Sequence, residues 1–205
     1  MKLVVFGPTG GTGRAAAEQA AARGDQVTVL ARRPERLRVG KSVQVVEGDV
    51  LDPAAVDRAV RGQDAVVSAL GTRPWRHRDV CSQGVRHIVD AMGAHGVRRL
   101  IVVSSIGVGE SLADLGWLAR RVVVPLVLRR SFDDKARMEE IVRGSDLAWT
   151  IVRPALLTSG RPRGRWRVTT GRAVPGGFIT RNDLAAFCLV QLSSDEYVGQ
   201  VPNLA

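Results

Sequence analysis

Aromatic side chains are scarce in this chain. They make up 4% of it, and Tyr197 is the only tyrosine. That leaves too few rings for the stacking platforms on which single-stranded nucleic acids are held. Cysteine is nearly absent: Cys81 and Cys188 cannot supply a disulfide framework, and both fall in apolar helical patterns that mark core thiols. Such usage is expected of a protein of the reducing cytoplasm. The three histidines, His77, His87 and His95, lie in or beside one predicted helix with no carboxylates at ligand spacing, so no metal site is expected. His87 falls off the apolar stripe of that helix and is expected to be exposed. The longest apolar run, Val122–Leu128, is far short of the roughly 20 residues that cross a bilayer, which argues against a membrane span. The apolar start, Met1–Phe6, is too short for a secretion signal, and glycines follow it at once. Lysine is rare as well: all but Lys2, Lys41 and Lys135 of the 30 basic residues are arginine.

What remains is the composition of one globular unit. The chain has 205 residues, of which 45% are hydrophobic and 24% charged. That is enough apolar surface to offset the entropy of ordering, at the size of a single domain spanning 1–205. Either a monomer or a homodimer suits it. The net charge of +10 points to an anionic partner, although arginine bias of this kind also follows from codon composition. The densest cluster is Arg161-Pro162-Arg163-Gly164-Arg165-Trp166-Arg167. Its glycine and proline make it a loop, and neither a helix-turn-helix nor a zinc pattern accompanies it, so nucleic acid is not the expected partner. It reads as a solvated loop or as a lid that attracts an anionic small molecule.

Short β-branched runs alternate with Ala-rich helical patterns. Strands are predicted at Leu3–Phe6, Gln26–Ala31, Val43–Glu47, Asp64–Ala69, Arg99–Ser104 and Ala148–Arg153, and helices at 12–23, 53–61, 79–95 and 133–144. Several strands are nearly continuous apolar runs, as parallel strands buried on both faces are. In 79–95, Val80, Gly84, Ile88 and Met92 recur every fourth residue and form a stripe that packs on a sheet. The alternation predicts right-handed βαβ units in a doubly wound, mostly parallel sheet with helices on both faces. Two segments, 107–132 and 155–181, break it. Segments after the later strands of such a fold lie over the ligand crevice, so these two are the expected substrate side.

The first strand runs straight into Gly7-Pro8-Thr9-Gly10-Gly11-Thr12-Gly13-Arg14 and then the first helix. Early glycines permit a tight turn and let the backbone approach a pyrophosphate; the third lets helix and strand pack closely. Free N–H groups at the helix start, with the positive end of its dipole behind them, face the phosphates. Strand, loop and helix in this order are the context that a dinucleotide site requires. A Walker A loop would end in Gly-Lys-Ser or Gly-Lys-Thr, whereas this one ends in Gly13-Arg14-Ala15. The second strand ends in Ala31-Arg32-Arg33-Pro34, where an NAD enzyme usually carries an acid for the ribose 2′-hydroxyl. Guanidinium groups there donate to a 2′-phosphate instead, which points to NADP(H). One charge-assisted bond contributes roughly 1.5–3 kcal/mol, a preference of at least ~10-fold.

With Gly48-Asp49-Val50, Val67-Ser68-Ala69-Leu70-Gly71, Val102-Val103-Ser104-Ser105-Ile106-Gly107 and Thr150-Ile151-Val152-Arg153-Pro154 following in order, the chain resembles the atypical short-chain dehydrogenase/reductases, which carry an NAD(P)-binding Rossmann domain. It is most similar to the biliverdin-IXβ reductase/flavin reductase-like and NmrA-like groups. The resemblance covers nearly the whole chain and implies roles. Gly7, Thr9, Gly10, Gly11, Thr12 and Gly13 would hold the pyrophosphate, and Arg32 and Arg33 the 2′-phosphate. Asp49 and Val50 would lie at the adenine, unless Asp49 caps the helix at 53–61. Ala69, Leu70 and Gly71 would line the ribose and pyrophosphate. Ser104 and Ser105 would flank the nicotinamide, and Pro154, Ala155 and Leu156 would cover its carboxamide through backbone groups.

One departure matters. Relatives of the usual type pair a Lys with a Tyr four residues earlier, and the Tyr protonates a carbonyl oxygen as hydride arrives. Here Lys135 is preceded at that spacing by Ser131. A serine hydroxyl is far too weak an acid for the task, and losing a general acid costs typically 10²–10⁴-fold. Hydride transfer survives, since a nicotinamide supplies it and the protein orients it. Acceptors that become stabilised anions, such as flavins, quinones and extended conjugated systems, need no strong acid at the site. The expected activity is therefore an NADPH-dependent reductase of such an acceptor. Ser105 would orient it or relay a proton, and Lys135 would bond the nicotinamide ribose, unless Lys135 merely pairs with Glu139 on a helix surface. The alternative is an NmrA-like regulator that binds NADP(H) as a signal without turnover.

Overall fold

Lys2–Phe6 forms strand β1, with Leu3, Val4 and Val5 sealed from solvent. The structure, a computed structural model, describes residues 1–37, 39–40, 42–71, 79–109, 111, 129–171 and 177–205. After β1 come helix α1 (Gly11–Ala22), β2 (Gln26–Ala31), β3 (Val43–Glu47), α2 (Pro53–Val60), β4 (Ala65–Ser68), α3 (Val80–His95), β5 (Arg99–Val103), α4 (Arg129–Arg143) and β6 (Ala148–Pro154). Short strands β7 (Leu156–Thr158), β8 (Val168–Thr170) and β9 (Phe178–Thr180) precede α5 (Arg181–Gln191), and β10 (Pro202–Leu204) follows it. The main sheet has eight strands in the order β3-β2-β1-β4-β5-β6-β10-β8. All its pairs are parallel except β10 with β8. The first six follow the strand order of a Rossmann fold, with the reversal between β1 and β4, as the sequence predicts.

Strands with apolar residues on both faces require cover on both faces, and the helices supply it. On one face α1 and α5 pack through small side chains, Ala15, Ala16, Ala20 and Ala185, around Leu184 and Phe187. On the other, α2, α3 and α4 contribute Val56, Ile88, Met92 and Met138. Cys81 and Cys188 are buried, unpaired, one in each core, and burial pushes both thiols up to about 12. They are core residues with no thiolate character. Among the described residues no helix is long and apolar enough to cross a membrane, and no cluster of His, Cys, Asp and Glu could hold a metal ion.

The predicted strands and helices up to β6 fall within a residue or two of the observed ones, except that α4 begins earlier than 133. The segment 155–181 is not irregular throughout. Its β7 and β9 form a separate parallel pair, and its β8 joins the far edge of the main sheet. Three-residue strands are too short for their periodicity to be read; β7 and β9 exist through pairing with each other, and β8 through pairing with β10. Helix α5 was marked in the sequence only by the apolar pattern around Cys188. Of the segment 107–132, residues 110 and 112–128, including the run Val122–Leu128, lie outside the described residues.

Candidate functional site

The loops after β1 and β4 meet where the strand order reverses, the place this fold reserves for ligands. Gly7 has φ +82°, and a Cβ on it would lie 2.4 Å from the Ala69 carbonyl oxygen. A Cβ on Gly13 would lie 2.2 Å from the Gly7 carbonyl oxygen. Neither position admits any other residue without moving backbone. The Gly10 N–H donates to Gly7 O at 3.0 Å and tightens the turn.

The start of α1 is unlike the other helix starts described. Asp52 caps α2 by accepting from Ala54 N, and Thr180 caps α5 by accepting from Asp183 N. For α3 the cap comes from another helix: the buried Asp134 carboxylate of α4 accepts from Cys81 N (2.9 Å) and Ser82 N (3.0 Å). Helix α1 has neither a side-chain cap at Gly10 nor an acid in its first turn. Thr9, Gly10 and Gly11 are exposed. First-turn N–H groups have no partner within their helix, and the dipole makes that end positive, so this one is built for an external anion. A dinucleotide pyrophosphate fits it, bounded by Ala69, Leu70 and Gly71. Leu70 itself turns inward against Gly84 and Val50, so only its backbone faces the crevice.

Further along the sheet edge, Arg32 and Asp49 approach each other, Arg32 Nη1 lying 3.5 Å from Asp49 Oδ2. Asp49 Oδ1 also accepts from Leu51 N at 3.1 Å. Asp49 is therefore not the cap of α2. Both partners are substantially solvated, and such a pair is worth about 0–1 kcal/mol. A phosphate can thus take over Arg32 at little cost. Arg33 is exposed beside it. The Val50 side chain is buried, and its carbonyl bonds His87 Nδ1 at 3.0 Å. His87 is accordingly half-buried, not exposed as the helix pattern predicts.

On the far side of the crevice the site is made of buried charge. Arg153 donates to Glu139 twice, through Nε (2.9 Å) and Nη2 (2.5 Å), and both are almost fully buried. Ser104 Oγ donates to the same carboxylate at 2.5 Å. Lys135 Nζ donates to the Ser104 carbonyl at 2.8 Å. Burial pulls the Lys135 ammonium below its usual value, while the neighbouring Cys81, Glu139 and Asp134 push it back up. An ammonium has three N–H donors, so this arrangement leaves two for a ligand.

These contacts correct several expectations. The Ser104 hydroxyl points into the interior toward Glu139, leaving only its backbone at the crevice. Lys135 does not pair with Glu139, which is committed to Arg153 and Ser104. The N–H groups of Ala155 and Leu156 do not face the crevice: the first donates to Leu204 O (2.8 Å) and the second to Gly177 O (3.4 Å), while the Pro154 carbonyl accepts from Ile106 N (3.1 Å). What the segment presents is the Leu156 side chain, 73% exposed. Ser105 Oγ bonds the Ile106 carbonyl and remains half-exposed. Tyr197 is not brought to Lys135. It packs against Phe187 on the α1/α5 face, whereas α4 covers the opposite face. His77 lies outside the described residues.

The arginine loop is anchored. The buried Asp183 carboxylate accepts from the N–H groups of Arg163 (2.9 Å) and Gly164 (3.0 Å) and from Thr180 Oγ1 (2.7 Å). Burial alone would push this carboxyl up, yet those donors hold it below its usual value. Arg163 lies over the Phe178 ring at 4.5 Å. Arg163, Arg165, Trp166, Arg167 and Phe178 line a cavity of about 400 Å³. The buried, bonded roles of Glu139, Arg153, Asp134 and Asp183 are not read from the sequence. Only the Thr180-to-Asp183 spacing, a helix-start signature, was there to be read.

Residues 7–195 match the model of a family described as NAD(P)H-binding. A Streptomyces griseus protein named (4-alkanoyl-5-oxo-2,5-dihydrofuran-3-yl)methyl phosphate reductase is 34% identical over 209 residues. The match covers 97% of this chain but 65% of that relative, so the chain spans less than two thirds of its length. Among solved structures, ChuY, an anaerobillin reductase of Escherichia coli O157:H7, superposes with a TM-score of 0.85 at 25% identity, covering 100% of this chain and 96% of that one. A short-chain dehydrogenase/reductase of Veillonella parvula in complex with NADP has a TM-score of 0.81 over 100% of this chain and 94% of its own, with the fold alone shared at 16% identity.

Proposed function

The chain belongs to the NAD(P)H-binding family, and from that premise we propose that it is an oxidoreductase that uses NADP(H) to reduce a small conjugated acceptor. The observation that carries the reading is a mismatch between two halves of one crevice. The α1 N-terminus offers an uncapped anion site with Arg32 and Arg33 further along, yet no tyrosine stands near Lys135 among the described residues. Bound NADPH would supply the hydride. The glycine loop would hold its pyrophosphate, Arg32 and Arg33 its 2′-phosphate, and Lys135 its nicotinamide ribose. Ser105, half-exposed just after β5, would orient the acceptor. With Ser131 in place of a phenol, protonation of the reduced product falls to solvent, which suits flavins, quinones and similar π-systems. The reductase names of the Streptomyces griseus and Escherichia coli proteins support this class. The arginine-lined cavity supports an acceptor that carries negative charge.

Steady-state oxidation of NADPH followed at 340 nm, with flavin or quinone added, tests the proposal. Turnover proportional to protein concentration is expected. Tight NADPH binding with no consumption by any acceptor would overturn it and leave an NADP(H)-sensing regulator in its place.

A further inference from the structure

Gly11 is the one glycine of the loop that stands outside the Gly7, Gly10 and Gly13 spacing. Gly7 is fixed by its positive φ and by Ala69, and Gly13 by the Gly7 carbonyl. Gly11 has neither constraint. It is the first residue of α1, where alanine would be the better helix former. The three atoms nearest a Cβ there all belong to Arg181: Cδ at 2.5 Å, Nε at 3.1 Å and Cγ at 3.9 Å. The arginine stem therefore crosses the bare backbone of Gly11 at the rim of the anion site.

Arg181 is held in that position from both ends. Its backbone is the first residue of α5, pinned by the Thr180 cap and by Asp183. Its guanidinium reaches Ser159, Nη1 donating to Oγ at 3.1 Å, and the adjacent Asn182 Nδ2 donates to Gly160 O at 3.0 Å. The side chain thus bridges α5, the start of α1 and the chain just beyond β7. Arg14 has Glu18 at 3.9 Å and Arg32 has Asp49 at 3.5 Å, but Arg181 has no acidic partner among the described residues. An arginine with donors to spare, its guanidinium at the solvent-facing rim, stands beside helix N–H groups that have no acceptor within their helix.

We infer that Arg181 clamps the cofactor pyrophosphate, and that residue 11 is glycine so that the arginine stem can pass over the helix start. The inference rests on the reading of α1 as the pyrophosphate site. It adds a cation that neither the glycine pattern nor the 2′-phosphate argument supplies. It also separates two arginine roles: Arg32 and Arg33 would read the 2′-phosphate, present in NADPH alone, whereas Arg181 would read a group common to both coenzymes.

Calorimetric titration with NADPH and NADH tests it on four proteins: wild type, Arg181→Ala, Gly11→Ala and the double variant. Arg181→Ala is expected to weaken both coenzymes by the same factor, about tenfold or more, as loss of a charge-assisted bond implies. Arg181→Gln, which keeps a polar stem, is expected to do the same and serves if the alanine variant does not fold. Gly11→Ala should weaken both coenzymes when Arg181 is present and have little further effect when it is absent. Unchanged affinity in the Arg181 variants overturns the inference. So does a loss confined to NADPH, which would make Arg181 a reader of the 2′-phosphate. Equal cost of Gly11→Ala in both backgrounds overturns the role given to Gly11. Wild-type protein that binds neither coenzyme removes the pyrophosphate site itself, an outcome distinct from the other three.

Discussion

The two sides of the crevice are built from different materials. The side at β1, α1 and β4 is made of backbone: glycines whose missing side chains let carbonyls approach, and helix N–H groups left free. The side at β5, α4 and β6 is made of side chains drawn from three elements: buried Ser104, Glu139 and Arg153 bonded to one another, with Lys135 on the Ser104 carbonyl beside them. A backbone site recognises what all its ligands share, a phosphate. A side-chain network holds a shape, and altering one member leaves another buried without its partner. The first side is therefore suited to the dinucleotide and the second to supporting whatever reacts beside it.

Substitutions on each side should separate these roles. The largest effect is expected inside the network. Glu139→Leu takes from buried Arg153 the carboxylate that accepts two of its hydrogen bonds and should cost about 3–5 kcal/mol in chemical denaturation. The double variant Glu139→Leu/Arg153→Leu should recover much of that loss, because both members of the buried pair are then replaced together. On the backbone side Gly13→Ala puts a methyl group into the Gly7 carbonyl, and a loss of about 1–3 kcal/mol of stability together with NADPH affinity is expected. If the glycine variant bound NADPH normally, the backbone side would not be the phosphate site. Charge reversal at Arg32 and Arg33 should leave stability unchanged and weaken NADPH at least ~10-fold more than NADH in parallel titrations. Equal losses for both coenzymes would move the 2′-phosphate elsewhere. The smallest effect belongs to Ser131→Ala. Its reductase rate should stay within about threefold of wild type, since the hydroxyl is not a substitute acid; a loss beyond ~100-fold would show that it is.

The same contrast explains how far the sequence could be read. Gly7, Gly10 and Gly13 lie within one loop, and their spacing is itself the geometry. Strands β1, β4 and β5 were legible because parallel strands buried on both faces are nearly continuous apolar runs. The network was not legible, because Glu139, Arg153 and Ser104 meet only after α4 packs against β5 and β6, and nothing local distinguishes Glu139 from the other acids of its helix. Asp134 is a further example: a helix cap supplied from 52 residues away in the chain carries no local signature. Ser104 shows the limit at a single residue. Its place at a strand end was foreseen, but which way its hydroxyl turned depended on a carboxylate from another element.

Calorimetric titration of the wild-type protein with NADPH and with NADH at near-neutral pH reads the pyrophosphate and 2′-phosphate sites together. Saturable binding of NADPH, at least ~10-fold tighter than that of NADH, is expected. Absence of binding heat with both coenzymes would contradict both assignments.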